Sequence, residues 1–220
     1  MPHNFDLAAF RATLLAREPF EYLVVPGFIK QDALARINAD YPKISERGSF
    51  PASQVAFGPA FQALLDDLES DEFREAFEEK FGLELAGRPT TTTVRGRCGV
   101  GDGKIHTDSA GKIITVLIYM NSRWEQPGGR LRLLRSGSNL DDIIVEVPPV
   151  EGTLLAFRRA DNSWHGHEPF VGERRVIQFN WVMSEGNRQI VMLRHHASAW
   201  LKRVLGSLRN GSRHAVRREW

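Results

Sequence analysis

The sequence has only one cysteine, Cys98, among its 220 residues. A single thiol excludes an internal disulfide framework and a zinc site built from several thiolates, so any metal must be bound by histidine and carboxylate groups. It also favours a reducing compartment. No stretch approaches the roughly 20 apolar residues that span a bilayer, and the N-terminus lacks a basic segment followed by an apolar run. We therefore expect a soluble, cytoplasmic protein without a transmembrane segment.

Acidic residues are scarce at the C-terminal end of the chain. Residues 188–220 contain eight Arg or Lys and one acidic residue, a local charge of +7, and because the whole chain carries +2, residues 1–187 sum to −5. Apolar residues at helical spacing run between these basic residues, from Ile190 to Leu208. We predict a basic C-terminal helix and tail over 188–220 that packs on its own domain. A membrane surface or a partner protein is an alternative contact, and nucleic acid is not expected.

The rest of the chain changes its pattern near residue 90. Before it, apolar residues three or four apart predict helices over 31–40, 60–68 and 73–81, with one early strand over 20–25. After it, short β-prone runs predict an antiparallel sandwich or barrel; the clearest are 112–120, 130–134, 143–147, 153–158 and 174–182. Several runs are apolar on both faces, so helices should cover the sheet.

The predicted fold is therefore mainly β with flanking helices: a jelly roll, or double-stranded β-helix, buttressed by N-terminal helices. We predict a single domain over 1–187, with helical support over about 1–85 and the jelly-roll core over about 86–184.

The clearest chemical signal is an H-x-D triplet formed by His106 and Asp108. In an extended segment, residues i and i+2 point to the same side, so an imidazole and a carboxylate can converge on one ion. The triplet alone is a weak signal because it arises often by chance. After four more predicted strands, His165 precedes Pro169, Arg174 and an apolar strand. Two histidines and one carboxylate on one face of a metal suit non-haem iron(II), because the other face stays open.

Residues 101–181 resemble the prolyl-hydroxylase-type branch of the iron(II)- and 2-oxoglutarate-dependent dioxygenases. In that branch, H-x-D is followed by Y-L-N at a strand end, by Trp and a Gly-Gly turn, by Pro and Gly before a strand ending in Phe, and by His with Pro four and Arg nine residues later. This chain has the same order: Tyr119-Met120-Asn121, Trp124, Gly128-Gly129, Pro149, Gly152, Phe157, His165, Pro169 and Arg174. The resemblance implies an oxygenase that uses O2 and 2-oxoglutarate to hydroxylate a substrate.

The resemblance implies that iron(II) is bound by His106, Asp108 and His165, which would be both metal ligands and catalytic residues. His167 would share a strand face with His165, but the family's ligand stands four residues before the proline, which favours His165. The family has a hydrophobic residue where His167 stands, so we interpret His167 as facing substrate or supporting the ligands. The remaining histidines are assigned no metal role: His3, His195, His196 and His214.

The resemblance also implies a binding site for 2-oxoglutarate. Arg174 would pair with the C5 carboxylate, because a buried anion needs a paired cation and a guanidinium matches a carboxylate. Tyr119 would donate its hydroxyl to that carboxylate, with Thr115 on the same strand face; an ordinary core tyrosine is the alternative. Arg175 would face the other way. Ascorbate is a candidate reductant.

Substrate identity does not follow from the resemblance. The family's hypoxia-type members have a tyrosine in the strand before H-x-D, which the stretch 94–98 lacks, and Arg130 replaces an apolar or acidic residue. Polar residues expected near the pocket leave a polar or anionic substrate open: Arg95, Arg97, Lys112, Gln178 and Asn180. A prolyl or other amino-acid residue in a protein, a free amino acid and a small metabolite are the alternatives.

Two other classes of protein compete with the oxygenase. One is a jelly-roll metal-binding or ligand-binding protein without oxygenase activity. The other is a cupin-type zinc or manganese hydrolase, which would have no use for Arg174. The complete set of triad and arginine favours the oxygenase.

Overall fold

The computed structural model describes residues 4–193. Helices α1 to α4 span Leu7–Ala12, Gln31–Ala39, Pro59–Leu68 and Asp71–Phe81, and a short 3-10 helix spans Ala52–Gln54. Strands β1 to β9 span Tyr22–Val25, Ser49–Pro51, Thr90–Cys98, Lys112–Tyr119, Leu131–Leu134, Ile143–Val147, Leu154–Arg158, His165–Gly166 and Gly172–Val182. A further helix occupies 185–193. The predicted continuation of that helix lies outside the described residues, and the division of the chain at residue 187 stays a prediction.

The predicted helices and strands are found close to their expected positions. The three predicted helices correspond to α2, α3 and α4, and the six predicted strands to β1, β4, β5, β6, β7 and β9. The elements outside these predictions are α1, β2, β3, β8 and the 3-10 helix. Except for β3 they have six residues or fewer, which is too short to show a periodic pattern. The nine residues of β3 are mostly Thr and Arg, so they show no apolar alternation.

The strands form two antiparallel sheets. Six strands lie in the order β1-β7-β4-β9-β3-β2, and three lie in the order β6-β5-β8. One apolar cluster joins both sheets and includes Leu117 and Tyr119 of β4 with Leu131 and Leu133 of β5. The two sheets therefore enclose a space between them, as expected for a jelly roll.

The other face of the large sheet packs against the N-terminal helices. Residues of β4 alternate between the two faces, so Ile114, Val116 and Ile118 join a second cluster with residues of α2, α3 and α4. In that cluster the ring of Phe73, on α4, stacks on Trp181 of β9 with centroids 5.7 Å apart. The predicted buttressing by N-terminal helices is thus confirmed. Within residues 4–193, no helix is both long enough and apolar enough to cross a membrane.

Asn121, two residues after the end of β4, connects three parts of the chain. Its amide nitrogen donates to the carbonyl oxygens of Pro149 (2.5 Å) and Arg175 (3.2 Å), and its amide oxygen accepts from the Arg175 N–H (2.8 Å).

Asn121→Ala should lower the free energy of unfolding by about 1–3 kcal/mol, because these backbone groups lose their partners. Urea denaturation measures the change. Asn139→Ala is the control on an exposed loop, and an equal loss in both variants would contradict this role for Asn121.

Candidate functional site

The two predicted histidine ligands lie side by side because their backbones pair. The His106 N–H donates to the His165 carbonyl (3.0 Å), and the His165 N–H donates to the His106 carbonyl (2.9 Å). Residues directly opposite each other in an antiparallel pair point to the same face, and the two ring centroids are 4.3 Å apart. Asp108 completes the group, with one ligand atom from each residue within 4.8 Å of the others. Small side-chain rotations bring such atoms to the roughly 2 Å metal bonds of protein sites.

Gly103 allows the segment before His106 to approach β8 this closely. It has a φ of +93°, and a Cβ at this position would lie 2.4 Å from the His167 carbonyl oxygen. The Gly103 carbonyl accepts a hydrogen bond from the His167 N–H at 2.9 Å. Only glycine combines this backbone conformation with so close a contact. Gly103 is therefore part of what positions the predicted metal ligands.

Backbone carbonyls fix the tautomers of both histidines. The Nδ1 atom of His106 lies 2.9 Å from the Lys104 carbonyl oxygen, and that of His165 lies 3.0 Å from the Ser163 carbonyl oxygen. A carbonyl only accepts, so each Nδ1 carries the proton and each Nε2 keeps a free lone pair. Burial lowers the pKa of His165 to about 4, although the charge of Asp108 opposes this. Both rings thus have the form that binds a metal ion.

Asp108 is held in place by two buried partners. The Lys112 ammonium lies 2.7 Å from Oδ1, and the Thr115 hydroxyl donates to Oδ2 at 2.5 Å. The Asp108 and Lys112 side chains are 9% and 8% exposed. Burial alone would raise the pKa of Asp108, but the charges of Lys112 and His165 and these hydrogen bonds hold it well below its usual range. Thr115, predicted as a co-substrate residue, thus contacts the predicted metal ligand.

A cavity of about 450 Å³ between the two sheets contains most of the predicted site. The predicted residues that line it are His106, Asp108, Thr115, His165 and Arg174, together with Arg95, Lys112, His167 and Gln178. Tyr119, Asn180 and the exposed Arg97 do not line it. Ser49, Thr93 and Val191 also line it, although no sequence pattern indicated them. Another cavity, of about 500 Å³ beside Tyr41 and Phe50, is lined by none of the predicted site residues.

Arg174 provides a buried positive charge in this cavity. It is 5% exposed, and its Nε donates to the Gly129 carbonyl oxygen at 2.8 Å. Gly129 ends the Gly-Gly turn with a left-handed φ of +77°, a conformation that glycine adopts without strain. No carboxylate pairs with Arg174 in the described part of the chain. A buried cation without an anionic partner is suited to an anionic ligand.

Tyr119 does not line the cavity, but it lies beside Arg174. Its hydroxyl is fully buried and has no hydrogen-bond partner of good geometry among residues 4–193. The guanidinium carbon of Arg174 is 5.5 Å from the centre of its ring. Burial raises the pKa of Tyr119 to about 12, although the positive charge of Arg174 opposes the rise. The neutral Tyr119 hydroxyl and the Arg174 guanidinium are both hydrogen-bond donors, so together they suit the two oxygens of a carboxylate.

His167 also lines the cavity and is 6% exposed. Its Nδ1 lies 2.8 Å from the Glu168 carbonyl oxygen, so Nδ1 donates and Nε2 is left as an acceptor. Burial, followed by the charge of Arg174, lowers its pKa to about 4. The metal group of His106, Asp108 and His165 does not include it. His3, His195, His196 and His214 lie outside the described residues.

Arg175 and Arg130 are turned away from the cavity. The Arg175 guanidinium lies 5.5 Å from the centre of the Tyr41 ring and forms an ion pair with Glu173 at 2.9 Å. Arg130 lies 3.6 Å from Glu146. Neither lines the cavity.

The comparisons with known proteins agree with this fold and this site. The model of a family described as the 2OG-Fe(II) oxygenase superfamily matches residues 95–183, which hold the triad and Arg174. This match covers the part of the chain that carries the resemblance seen in the sequence, and it confirms that resemblance. The superfamily and the triad together imply iron(II) and 2-oxoglutarate. The search of the curated proteins found no similar sequence.

Similar solved structures include three prolyl hydroxylases. A prolyl 4-hydroxylase from Pseudomonas putida is 19% identical, with a TM-score of 0.52 over 74% of this chain and 92% of that one. A collagen prolyl hydroxylase from Paramecium bursaria Chlorella virus-1, in a 2-oxoglutarate complex, is 17% identical, with a TM-score of 0.52 over 74% and 96%. A Trichoplax adhaerens prolyl hydroxylase bound to a hypoxia-inducible-factor peptide is 18% identical, with a TM-score of 0.54 over 77% and 86%. At these identities the likeness establishes the double-stranded β-helix fold and leaves the substrate open.

Proposed function

We propose that this chain is a hydroxylase that couples oxidative decarboxylation of 2-oxoglutarate to hydroxylation of a substrate. Oxygen and 2-oxoglutarate are consumed, carbon dioxide and succinate are released, and one oxygen atom enters a substrate C–H bond. The supporting observation is that one cavity contains two separate binding groups. One is the triad of His106, Asp108 and His165, with both Nε2 atoms available; the other is the buried, unpaired guanidinium of Arg174.

Each residue of the site has a distinct task in this proposal. Iron(II), when bound by the triad, activates oxygen and supplies the oxidising power. Lys112 and Thr115 hold the carboxylate of Asp108 in one orientation. Arg174 and Tyr119 bind the C5 carboxylate of 2-oxoglutarate, and the enclosing sheets limit access of water.

The hydroxylated group is a prolyl or other amino-acid residue, a free amino acid or a small metabolite. Ascorbate would serve as the reductant that keeps the iron in the ferrous state. The cytoplasmic location expected from the single cysteine is also a proposal, and cell fractionation tests it.

Formation of succinate without added substrate tests the reaction class. Metal-free protein, mixed anaerobically with iron(II) and labelled 2-oxoglutarate and then exposed to oxygen, should release labelled succinate. A chelator should stop the release, and zinc(II) should not replace iron(II), because zinc has no redox chemistry. Tight metal binding without any succinate would instead support the alternative, a metal-binding or ligand-binding jelly-roll protein without oxygenase activity.

A further inference from the structure

One side of the cavity is lined by polar residues that the metal and the co-substrate do not use. Ser49 of β2 pairs with Arg95 of β3, and Thr93 of β3 pairs with Gln178 of β9. Paired residues of neighbouring strands share a sheet face, and all four line the cavity. We call these four residues the β3 polar patch. It is available to the third component of the reaction, the primary substrate.

Two groups in the β3 polar patch lack partners. The Thr93 side chain is 1% exposed, and its hydroxyl has no hydrogen-bond partner among residues 4–193. The Arg95 guanidinium is anchored by Nε to the Ser49 hydroxyl (3.3 Å) and by Nη1 to Asp102 (3.0 Å). No contact of Arg95 Nη2 is found in the described part of the chain. A buried hydroxyl left without a partner is costly unless a ligand pairs with it. The Arg95 side chain is 21% exposed, so its Nη2 is accessible to a ligand.

His167 adds an acceptor to the same cavity. Its Nδ1 donates to the Glu168 carbonyl oxygen, so only Nε2 remains for a ligand. Because Nε2 has a lone pair and no proton, it needs an O–H or N–H group on the ligand. A ligand that satisfies this cavity must therefore both accept and donate hydrogen bonds.

The charges of the cavity favour a single negative charge on the substrate. Arg95, Lys112 and Arg174 line the cavity, while Asp102 pairs with Arg95 and Asp108 with Lys112. Three positive charges minus two negative charges leave +1. Iron(II) and a 2-oxoglutarate dianion add no net charge, so one carboxylate on the substrate neutralises the loaded cavity.

Size and polarity argue against a prolyl residue of a peptide. The cavity of about 450 Å³ must also hold the metal and 2-oxoglutarate, which leaves room for a small molecule. Its apolar lining is limited to Leu117, Leu131, Val176 and Val191. A pyrrolidine ring has no hydrogen-bonding groups for Thr93 or His167, and a site with buried polar groups rejects ligands that leave them unpaired.

We propose that the primary substrate is a small monocarboxylate that also carries hydroxyl groups. Its carboxylate pairs with Arg95, and its hydroxyls bind Thr93, Gln178 and His167. The inference rests on the proposed hydroxylase function and names the substrate class of that same site.

Calorimetry on protein that cannot turn over tests this proposal. The protein is loaded with nickel(II) in place of iron(II) and saturated with 2-oxoglutarate. The probes are glycerate and gluconate, their neutral carboxamides glyceramide and gluconamide, and an acetylated prolyl peptide amide. At least one carboxylate should bind about tenfold or more tightly than its own carboxamide, because only the carboxylate carries the charge that pairs with Arg95. The prolyl peptide should bind more weakly than that carboxylate.

Variants separate the substrate subsite from the co-substrate site. Arg95→Met should weaken binding of the carboxylate about tenfold or more and leave the dissociation constant of 2-oxoglutarate unchanged. Arg97→Met, which removes an exposed charge two residues along the same strand, should change neither. Thr93→Val removes only the unpaired hydroxyl and should weaken the carboxylate severalfold, which provides a second test if Arg95→Met does not fold.

Three results would overturn the substrate class: equal binding of acid and amide, tighter binding of the prolyl peptide, or no binding of any carboxylate while 2-oxoglutarate binds. Carboxylate binding that survives Arg95→Met in folded protein would overturn the subsite. Failure of 2-oxoglutarate itself to bind would instead overturn the proposed function on which the inference rests.

Discussion

Asp108→Ala is expected to abolish succinate formation and also to lower the free energy of unfolding of the metal-free protein by about 3–5 kcal/mol. The first effect follows because a histidine pair without the carboxylate does not hold the metal. The second follows because Lys112, 8% exposed and 2.7 Å from Asp108, would keep a buried charge without a partner. Succinate release measures the first effect, and urea denaturation measures the second.

A double variant separates these two effects. Asp108→Ala combined with Lys112→Met removes both buried charges, and replacing a buried ion pair by apolar groups is often neutral for stability. The double variant should therefore regain most of the lost free energy of unfolding and remain inactive. A double variant as unstable as Asp108→Ala would show that the ion pair is not the cause. Succinate formation by either variant would refute the role of Asp108 as a metal ligand.

Arg174→Met should raise the 2-oxoglutarate concentration needed for half-maximal succinate formation by roughly thirtyfold or more. Removing one partner of a buried charge pair costs about 2–5 kcal/mol, and each 1.4 kcal/mol is a factor of about ten. The triad does not depend on Arg174, so the rate at saturating 2-oxoglutarate should fall much less. Titration of 2-oxoglutarate at fixed iron(II) measures both quantities.

The neighbouring arginine provides a matched control for this prediction. Arg175→Met removes the same charge one residue along β9, on the opposite face, where Arg175 contacts Tyr41 and Glu173. It should leave the 2-oxoglutarate requirement unchanged. Arg174→Lys keeps the charge but loses the planar fork, so an intermediate requirement is expected. Equal effects of the two methionine variants would mean that Arg174 acts only through general charge.

The sequence predicted the main strands and helices because their apolar periodicities are long enough to be distinctive. The eleven residues of α4 bury one stripe at helical spacing, and the eight residues of β4 form a β-prone apolar run that is buried on both faces. The two residues of β8 have no such pattern, although β8 carries His165. That histidine was predicted from its spacing to Pro169 and Arg174, which is a property of the resemblance and not of local structure.

By itself, the sequence determined the jelly-roll class, the histidine and carboxylate chemistry of any metal site, and the identity of the triad and Arg174 as candidates. These depend on residue types and on order along one chain. The tertiary structure decided that Lys112 and Thr115 hold Asp108, that Tyr119 lies beside Arg174, and that Thr93 is left without a partner among the described residues. Such contacts follow from strand register and from the packing of two sheets, which bring together residues far apart in the chain.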